Sequence, residues 1–241
     1  RHEAMLSRAL SALDIPLLGV LPRRDALSLP ERHLGLVLPG EVEKFDEVVT
    51  AAAEAIEDYI DLNRLLALST PVDREARQPV PLPPLGQHIA IARDAASAFL
   101  YRHWIHDWHA AGATLSFFSP LGDEAPDPSA DAVFLPGGYP ELHGQTLAAA
   151  TNFHAALHAA RDRGALIYGE CGGFMVLGQS LTDKAGVTHR MAGLLPHETR
   201  IDRPRRVLGY RRLRHASPLP FPAALNGHEF HYSSADRTHG T

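Results

Sequence analysis

From His88 onward, short apolar runs alternate with longer amphipathic ones, and that rhythm narrows the folds open to the chain more than any other feature. His88-Ile89-Ala90-Ile91-Ala92, Thr114-Leu115-Ser116-Phe117-Phe118 and Asp131-Ala132-Val133-Phe134-Leu135 read as strands, and Ala165-Leu166-Ile167-Tyr168 as a short buried one. Between them, residues 95–111 and about 145–163 carry helical spacing. Strands alternating with helices predict an α/β fold in which a parallel sheet is covered by helices on both faces. Its ligand crevice belongs at the carboxyl ends of the strands. Further on, the segments around 191–195, 207–213 and 229–232 read as added β structure.

A different pattern precedes this one. Residues 71–86, PVDREARQPVPLPPLG, hold five prolines and predict an extended linker with the domain boundary inside it. Upstream, Ala4, Leu6, Ala9, Leu10 and Leu13 have helical spacing, Ile15 to Pro22 reads as a buried strand, and a long amphipathic helix is expected from about 40 to 66. Its buried face would carry Phe45, Val48, Val49, Ala52, Ile56, Tyr59 and Ile60. The loop Pro30-Glu31-Arg32-His33-Leu34-Gly35-Leu36 sets three ionisable groups among apolar ones, either as an internal ion pair or as a contact for acidic substrate groups. The first residue is Arg1, already in a helical pattern, so the chain reads as a piece of a longer protein.

The 241 residues, 45% apolar and 21% charged, suit one or two globular domains. A net charge of −5 gives no basic face for nucleic acid, and no apolar run reaches the length of a membrane span. A single cysteine forms no internal disulfide and no secretory leader is visible, which together point to the cytoplasm.

That cysteine is the centre of Gly169-Glu170-Cys171-Gly172-Gly173, between a strand and the helical pattern opened by Phe174-Met175-Val176-Leu177. A sharp strand-to-helix turn is how a nucleophile is presented, and free N–H groups at the helix start are expected to favour thiolate. Pro136-Gly137-Gly138-Tyr139-Pro140-Glu141 ends the preceding strand at the same sheet edge. A thiolate attacking an amide creates an oxyanion that backbone N–H groups must stabilise, so the N–H groups of Gly138 and Gly172 are the expected donors. The thiol also needs a base. In an extended strand Glu229 and His231 share one face while His228 and Phe230 take the other, which makes His231 a candidate base and argues against joint metal binding by His228 and His231. His103 and His106, spaced i and i+3, could ligate, but no carboxylate or thiol stands at fitting spacing and no metal site is expected.

Pro-Gly-Gly-Tyr-Pro-Glu at 136–141, Gly-Glu-Cys-Gly-Gly-Phe-Met at 169–175 and Gly-His-Glu-Phe-His-Tyr-Ser at 227–233, in that order, resemble the glutamine amidotransferase domain of the cobyrinic and hydrogenobyrinic acid a,c-diamide synthases. Residues 30–36 are similar to the end of the synthetase domain of the same enzymes. The resemblance implies a class I glutamine amidotransferase-like, flavodoxin-like domain over 87–241. Ahead of it would come the C-terminal part of a P-loop-type α/β synthetase domain over 1–70.

The implied activity is glutamine- and ATP-driven amidation of the a- and c-acetate carboxylates of a corrinoid in cobalamin biosynthesis, with Cys171 as glutaminase nucleophile. It implies L-glutamine and a corrinoid tetrapyrrole as substrates, ATP and Mg2+ for the full-length enzyme with none bound by this piece alone, and it allows a homodimer. Two departures stand out: no G-x-x-x-x-G-K-[ST] stretch is present, and the family's catalytic histidine belongs to a further Tyr-x-His-Leu-His motif that these residues lack. Two other readings stay open. One is a cysteine hydrolase with a G-x-C-x-G elbow and a triad completed by Asp202 and His231; the other is an inert binding module.

Overall fold

The computed structural model describes residues 2–30, 37–71 and 80–237. The chain divides into two compact units, 1–79 and 80–241. The loop of residues 31–36 and the middle of the proline-rich segment, 72–79, lie outside the described residues.

Among its described residues the first unit is helical: α1 (His2–Leu10), α2 (Phe45–Tyr59) and α3 (Leu62–Leu68). The expected strand at 15–22 is absent. Ile15, Leu17 and Leu21 are exposed, and the segment makes a single bridge, Gly19 to Ile60, so no ladder forms to hold it extended. The expected helix over 40–66 is two helices. Ile60 turns extended at φ −120° and ψ 130°, and Asp61 then caps α3 by accepting a hydrogen bond from the Arg64 N–H at 2.9 Å. The predicted buried face holds in part: Phe45, Val48, Ala52 and Ile60 are half-buried and Ala55 is the buried residue of α2, while Val49, Ile56 and Tyr59 are exposed.

The second unit is built on β1 (His88–Ala92), β2 (Thr114–Phe118), β3 (Ala132–Leu135) and β4 (Leu166–Gly169), all parallel in the order β2-β1-β3-β4. Period-two alternation explains how so short a sheet is buried on both faces. Ile89, Ile91, Ala132 and Phe134 point into one core with Trp108, from α4 (Arg102–Ala110), and Phe221. Ala90, Ala92, Val133 and Leu135 point into the other. That second core is closed by Leu147 of α5 (Gly144–Ala149), Phe153 and Leu157 of α6 (Thr151–Asp162), and Met175 and Val176 of α7 (Gly172–Leu177).

The chain leaves β1 towards β2 on one side and reaches β3 on the other, so the strand order reverses between β1 and β3, the switch point where α/β sheets bind ligands. The helices are more broken than their sequence pattern. The expected helix over 95–111 is a 3-10 turn, Ala95–Ser97, followed by α4, and the one over 145–163 is interrupted at Ala150 (φ −75°, ψ 72°).

Two smaller β elements follow. A mixed sheet runs β10-β7-β5-β6, from β5 (Ser180–Thr182), β6 (Thr188–Arg190), β7 (His197–Arg200) and β10 (Ser234–Arg237). An antiparallel ribbon pairs β8 (Val207–Arg214) with β9 (Ala224–His231) along their whole length. The expected strand near 191–195 is a loop, tied down by Met191 N–H to Gln179 O at 3.0 Å and Ala192 N–H to Val176 O at 3.0 Å.

Candidate active site

Cys171 stands between β4 and α7 with φ 50° and ψ −111°. A residue with a β-carbon is held there only at a cost of about 1–3 kcal/mol, which the surroundings must impose. They do so by crowding. A β-carbon on Gly173 would overlap the Leu135 carbonyl oxygen, and one on Gly172 would come within 2.8 Å of Pro140 Cδ. The turn is sewn to the end of β3 by Glu170 N–H to Leu135 O at 3.0 Å and Gly173 N–H to Pro136 O at 3.1 Å.

The segment after β1 joins the same rim. Phe99 donates its N–H to Gly137 O at 2.9 Å. A β-carbon on Gly138 would overlap the Ala96 carbonyl oxygen. Asp94, at the end of β1, fixes that approach: Oδ1 accepts from Ala96 N–H at 2.9 Å and Ser97 N–H at 3.1 Å, and Oδ2 from Leu121 N–H at 2.8 Å and Ser119 Oγ at 3.1 Å. Sequence reasoning missed Asp94. Its one signal is an acidic residue followed by small residues at a strand end, where a carboxylate caps a turn.

Cys171 as a residue is exposed, while its thiol is turned into the packed rim. The backbone N–H groups of Gly172 and Gly138 both donate toward it, each favouring the thiolate. They are outweighed. Desolvation by the packed rim is the largest influence, the carboxylates of Glu170 and Glu141 add to it, and the thiol is pushed above its ordinary value. The expectation of a thiolate favoured in the resting site is therefore corrected. The helix behind it is only six residues long, so its dipole is short.

Glu170 was not foreseen as part of the site. Its Oε1 accepts the Tyr101 hydroxyl at 3.0 Å, a contact between residues 69 apart in the chain. Burial raises the Glu170 carboxyl while the Tyr101 bond lowers it. Tyr101 is itself pushed up to about 12, by burial first and then by the Glu170 charge.

His231 lies on β9 with both ring nitrogens engaged, Nε2 with Glu229 Oε1 at 2.8 Å and Nδ1 with the Ser233 carbonyl at 2.9 Å. Glu229 also takes Arg211 on its other oxygen. The His231 ring is thus paired within its own segment, to Glu229 and Ser233. Asp202 forms a two-point pair with Arg200 at 3.1 and 2.8 Å and does not orient His231, so the Asp202–His231 relay required of a hydrolase triad is not formed. On α4, His106 contacts Asp107 at 3.3 Å, while His103 packs against Tyr101 and Trp104.

What this arrangement can do is clear from its parts: a cysteine on a strained elbow and two converging N–H donors suit attack on a carbonyl and capture of the resulting oxyanion.

Residues 88–241 match the CobB/CobQ-like glutamine amidotransferase domain family. The chain is 52% identical over 239 residues to the hydrogenobyrinate a,c-diamide synthase of Brucella anthropi, covering 98% of this chain and 55% of that protein. It is 49% identical over 236 residues to the one from a Sinorhizobium species, covering 97% and 54%. With the one from Rhodobacter capsulatus it shares 48% over 237 residues, again 97% and 54%. The chain thus spans about half the length of the curated relatives it matches.

Proposed function

The chain belongs to the CobB/CobQ-like glutamine amidotransferase domain family, and from that premise we propose that it is the glutaminase part of a corrinoid a,c-diamide synthase, with Cys171 as its nucleophile. The observation that carries this reading is Cys171 on its strained elbow with the N–H groups of Gly138 and Gly172 converging on the sulfur.

The thiolate adds to the carboxamide carbon of glutamine, and the carbonyl oxygen becomes an oxyanion within reach of the two N–H groups. Collapse breaks the C–N bond: the departing nitrogen takes the proton that the base drew from the Cys171 thiol and leaves as ammonia, and a glutamyl thioester stays on Cys171. Water then cleaves the thioester to glutamate and restores the thiol. The ammonia serves to amidate the a- and c-acetate carboxylates of cobyrinic or hydrogenobyrinic acid.

In this reading residues 1–70 are the end of the synthetase domain, 71–86 the linker and 87–241 the amidotransferase domain. ATP and Mg2+ belong to the activation of the acceptor carboxylate in the whole protein. The residues here do not fit a phosphate site of the G-x-x-x-x-G-K-[ST] kind, so no step is drawn through ATP. No helix among the described residues is long and apolar enough to cross a membrane. The single cysteine suits a proposed cytoplasmic setting, which allows a homodimer.

The test uses the full-length protein with glutamine, ATP-magnesium and hydrogenobyrinic acid. Diamide should form, and Cys171→Ser should abolish the reaction driven by glutamine while sparing that driven by ammonia. Glutamine-driven diamide from Cys171→Ser would refute the assignment. His231→Ala assigns the base: lost glutaminase activity gives the role to His231, and retained activity gives it to another histidine of the whole protein.

A further inference from the structure

Beside the proposed nucleophile stands a carboxylate that the reaction just described does not use. Glu170 precedes Cys171, and consecutive Cα atoms are about 3.8 Å apart. Its charge is felt by the thiol, and the Tyr101 phenol feels both groups, so thiol, carboxylate and phenol share one neighbourhood. Among the described residues Tyr101 is the one side-chain partner of Glu170, through Oε1, which leaves Oε2 open. Half-buried carboxylates are costly unless an opposite charge accompanies them, and here burial works against the charge. Glu141, the other carboxylate that influences the thiol, is buried and already engaged.

Glutamine brings the missing cation. With carbon–carbon bonds of about 1.5 Å, its extended side chain sets the α-ammonium roughly 5 Å from the carboxamide carbon, close to the reach of a residue adjoining the nucleophile. We propose that Glu170, aimed by the Tyr101 hydroxyl, receives the α-ammonium of glutamine and makes the site selective for an amino-acid amide over a plain amide. This rests on the glutaminase reading. Tyr101 acts here as a positioning residue: its bond fixes one oxygen and turns the other towards the substrate.

The experiment compares L-glutamine with 4-carbamoylbutanoate, which is the same amide without the α-ammonium, as substrates for ammonia release by the full-length protein. Wild type should favour glutamine in kcat/KM. Glu170→Gln keeps an oxygen to accept the Tyr101 bond but removes the charge, so the preference should fall by about tenfold to a hundredfold, the range for a hydrogen bond to a charged group, through a higher KM for glutamine. Glu170→Asp should keep part of the preference. Tyr101→Phe, which leaves the carboxylate in place, should lose a smaller part and serves as the test if Glu170→Gln does not fold. An equal loss on both substrates, or an unchanged preference, would overturn the proposal by reducing Glu170 to a structural prop of the elbow. Failure of the glutaminase reading looks different: Cys171→Ser would then release ammonia from glutamine as wild type does.

Discussion

Replacing Gly138 with alanine tests how tightly the rim is built. The added β-carbon would lie 2.6 Å from the Ala96 carbonyl carbon and 3.0 Å from the Ser97 nitrogen, besides overlapping the Ala96 oxygen. Carbon atoms in contact prefer about 3.5–4.0 Å, so one of the two segments must retreat by about 1 Å. The turn at 95–97 cannot give way cheaply, because Asp94 holds it with two N–H bonds and is itself held by Ser119 and Leu121. The displacement therefore falls on residue 138 and takes its N–H away from the sulfur. Overpacking of this kind costs about 1–3 kcal/mol of stability. At about 2–4 °C per kcal/mol, the melting temperature should fall by roughly 2–12 °C. Losing one oxyanion donor lowers kcat by about 10²–10³-fold. Glutaminase assays on the folded variant, with its melting curve, check both numbers. A Gly138→Ala protein with wild-type kcat and an unshifted melt would refute the account of the rim and of the donor together.

Other consequences follow from the charges and contacts. Because the Cys171 thiol is raised, its alkylation by iodoacetamide in the absence of glutamine should keep accelerating with pH beyond the range of an ordinary cysteine, about 8.5; a rate already flat at pH 7 would contradict this. Asp94→Ala strands the N–H groups of Ala96, Ser97 and Leu121 and should destabilise the second unit by about 2–4 kcal/mol in urea unfolding, whereas Asp94→Asn should cost less. Burial holds His197 below its ordinary value, with its ring stacked 4.0 Å over Phe174. The unfolded chain then binds the proton first, so stability should be full above about pH 6.5 and decline as pH falls below it. Melting curves at successive pH values should show this, with a shallower decline in His197→Gln.

The sheet was legible because each central strand is apolar on both faces: Ile89 and Ile91 serve one core, Ala90 and Ala92 the other. The elbow was legible because glycines crowd one cysteine. Helix interruptions were not, since neither Ile60 nor Ala150 is a breaker by composition and the breaks are held by contacts distant in the chain, Asp61 N–H to Leu18 O at 2.8 Å and Phe153 N–H to Asp123 Oδ1 at 2.9 Å; the Asp61 cap on Arg64 N–H was a local signal left unread. Ile15 to Leu21 misled because apolar content is buried, and held as a strand, only where a neighbour covers and pairs with it, and here Ile15, Leu17 and Leu21 are exposed and one bridge forms. The strands of the mixed sheet were missed because three or four residues rich in Thr, His and Arg carry no period of their own. Tyr101 and Glu170 could not be paired from spacing, as only the crossovers that bring β1 and β4 to the same edge unite them. The sign of the thiol shift depended on a balance between burial and two N–H bonds that no linear pattern encodes.

Phe99 clasps Gly137, and Tyr101 clasps Glu170, so three loops that are distant in the chain are buttoned to one another. Such a mouth has no independent parts to loosen. Amide deuteration at Phe99, Glu170 and Gly173 should advance in step, and an agent that frees one loop would disarm the sulfur at the same moment.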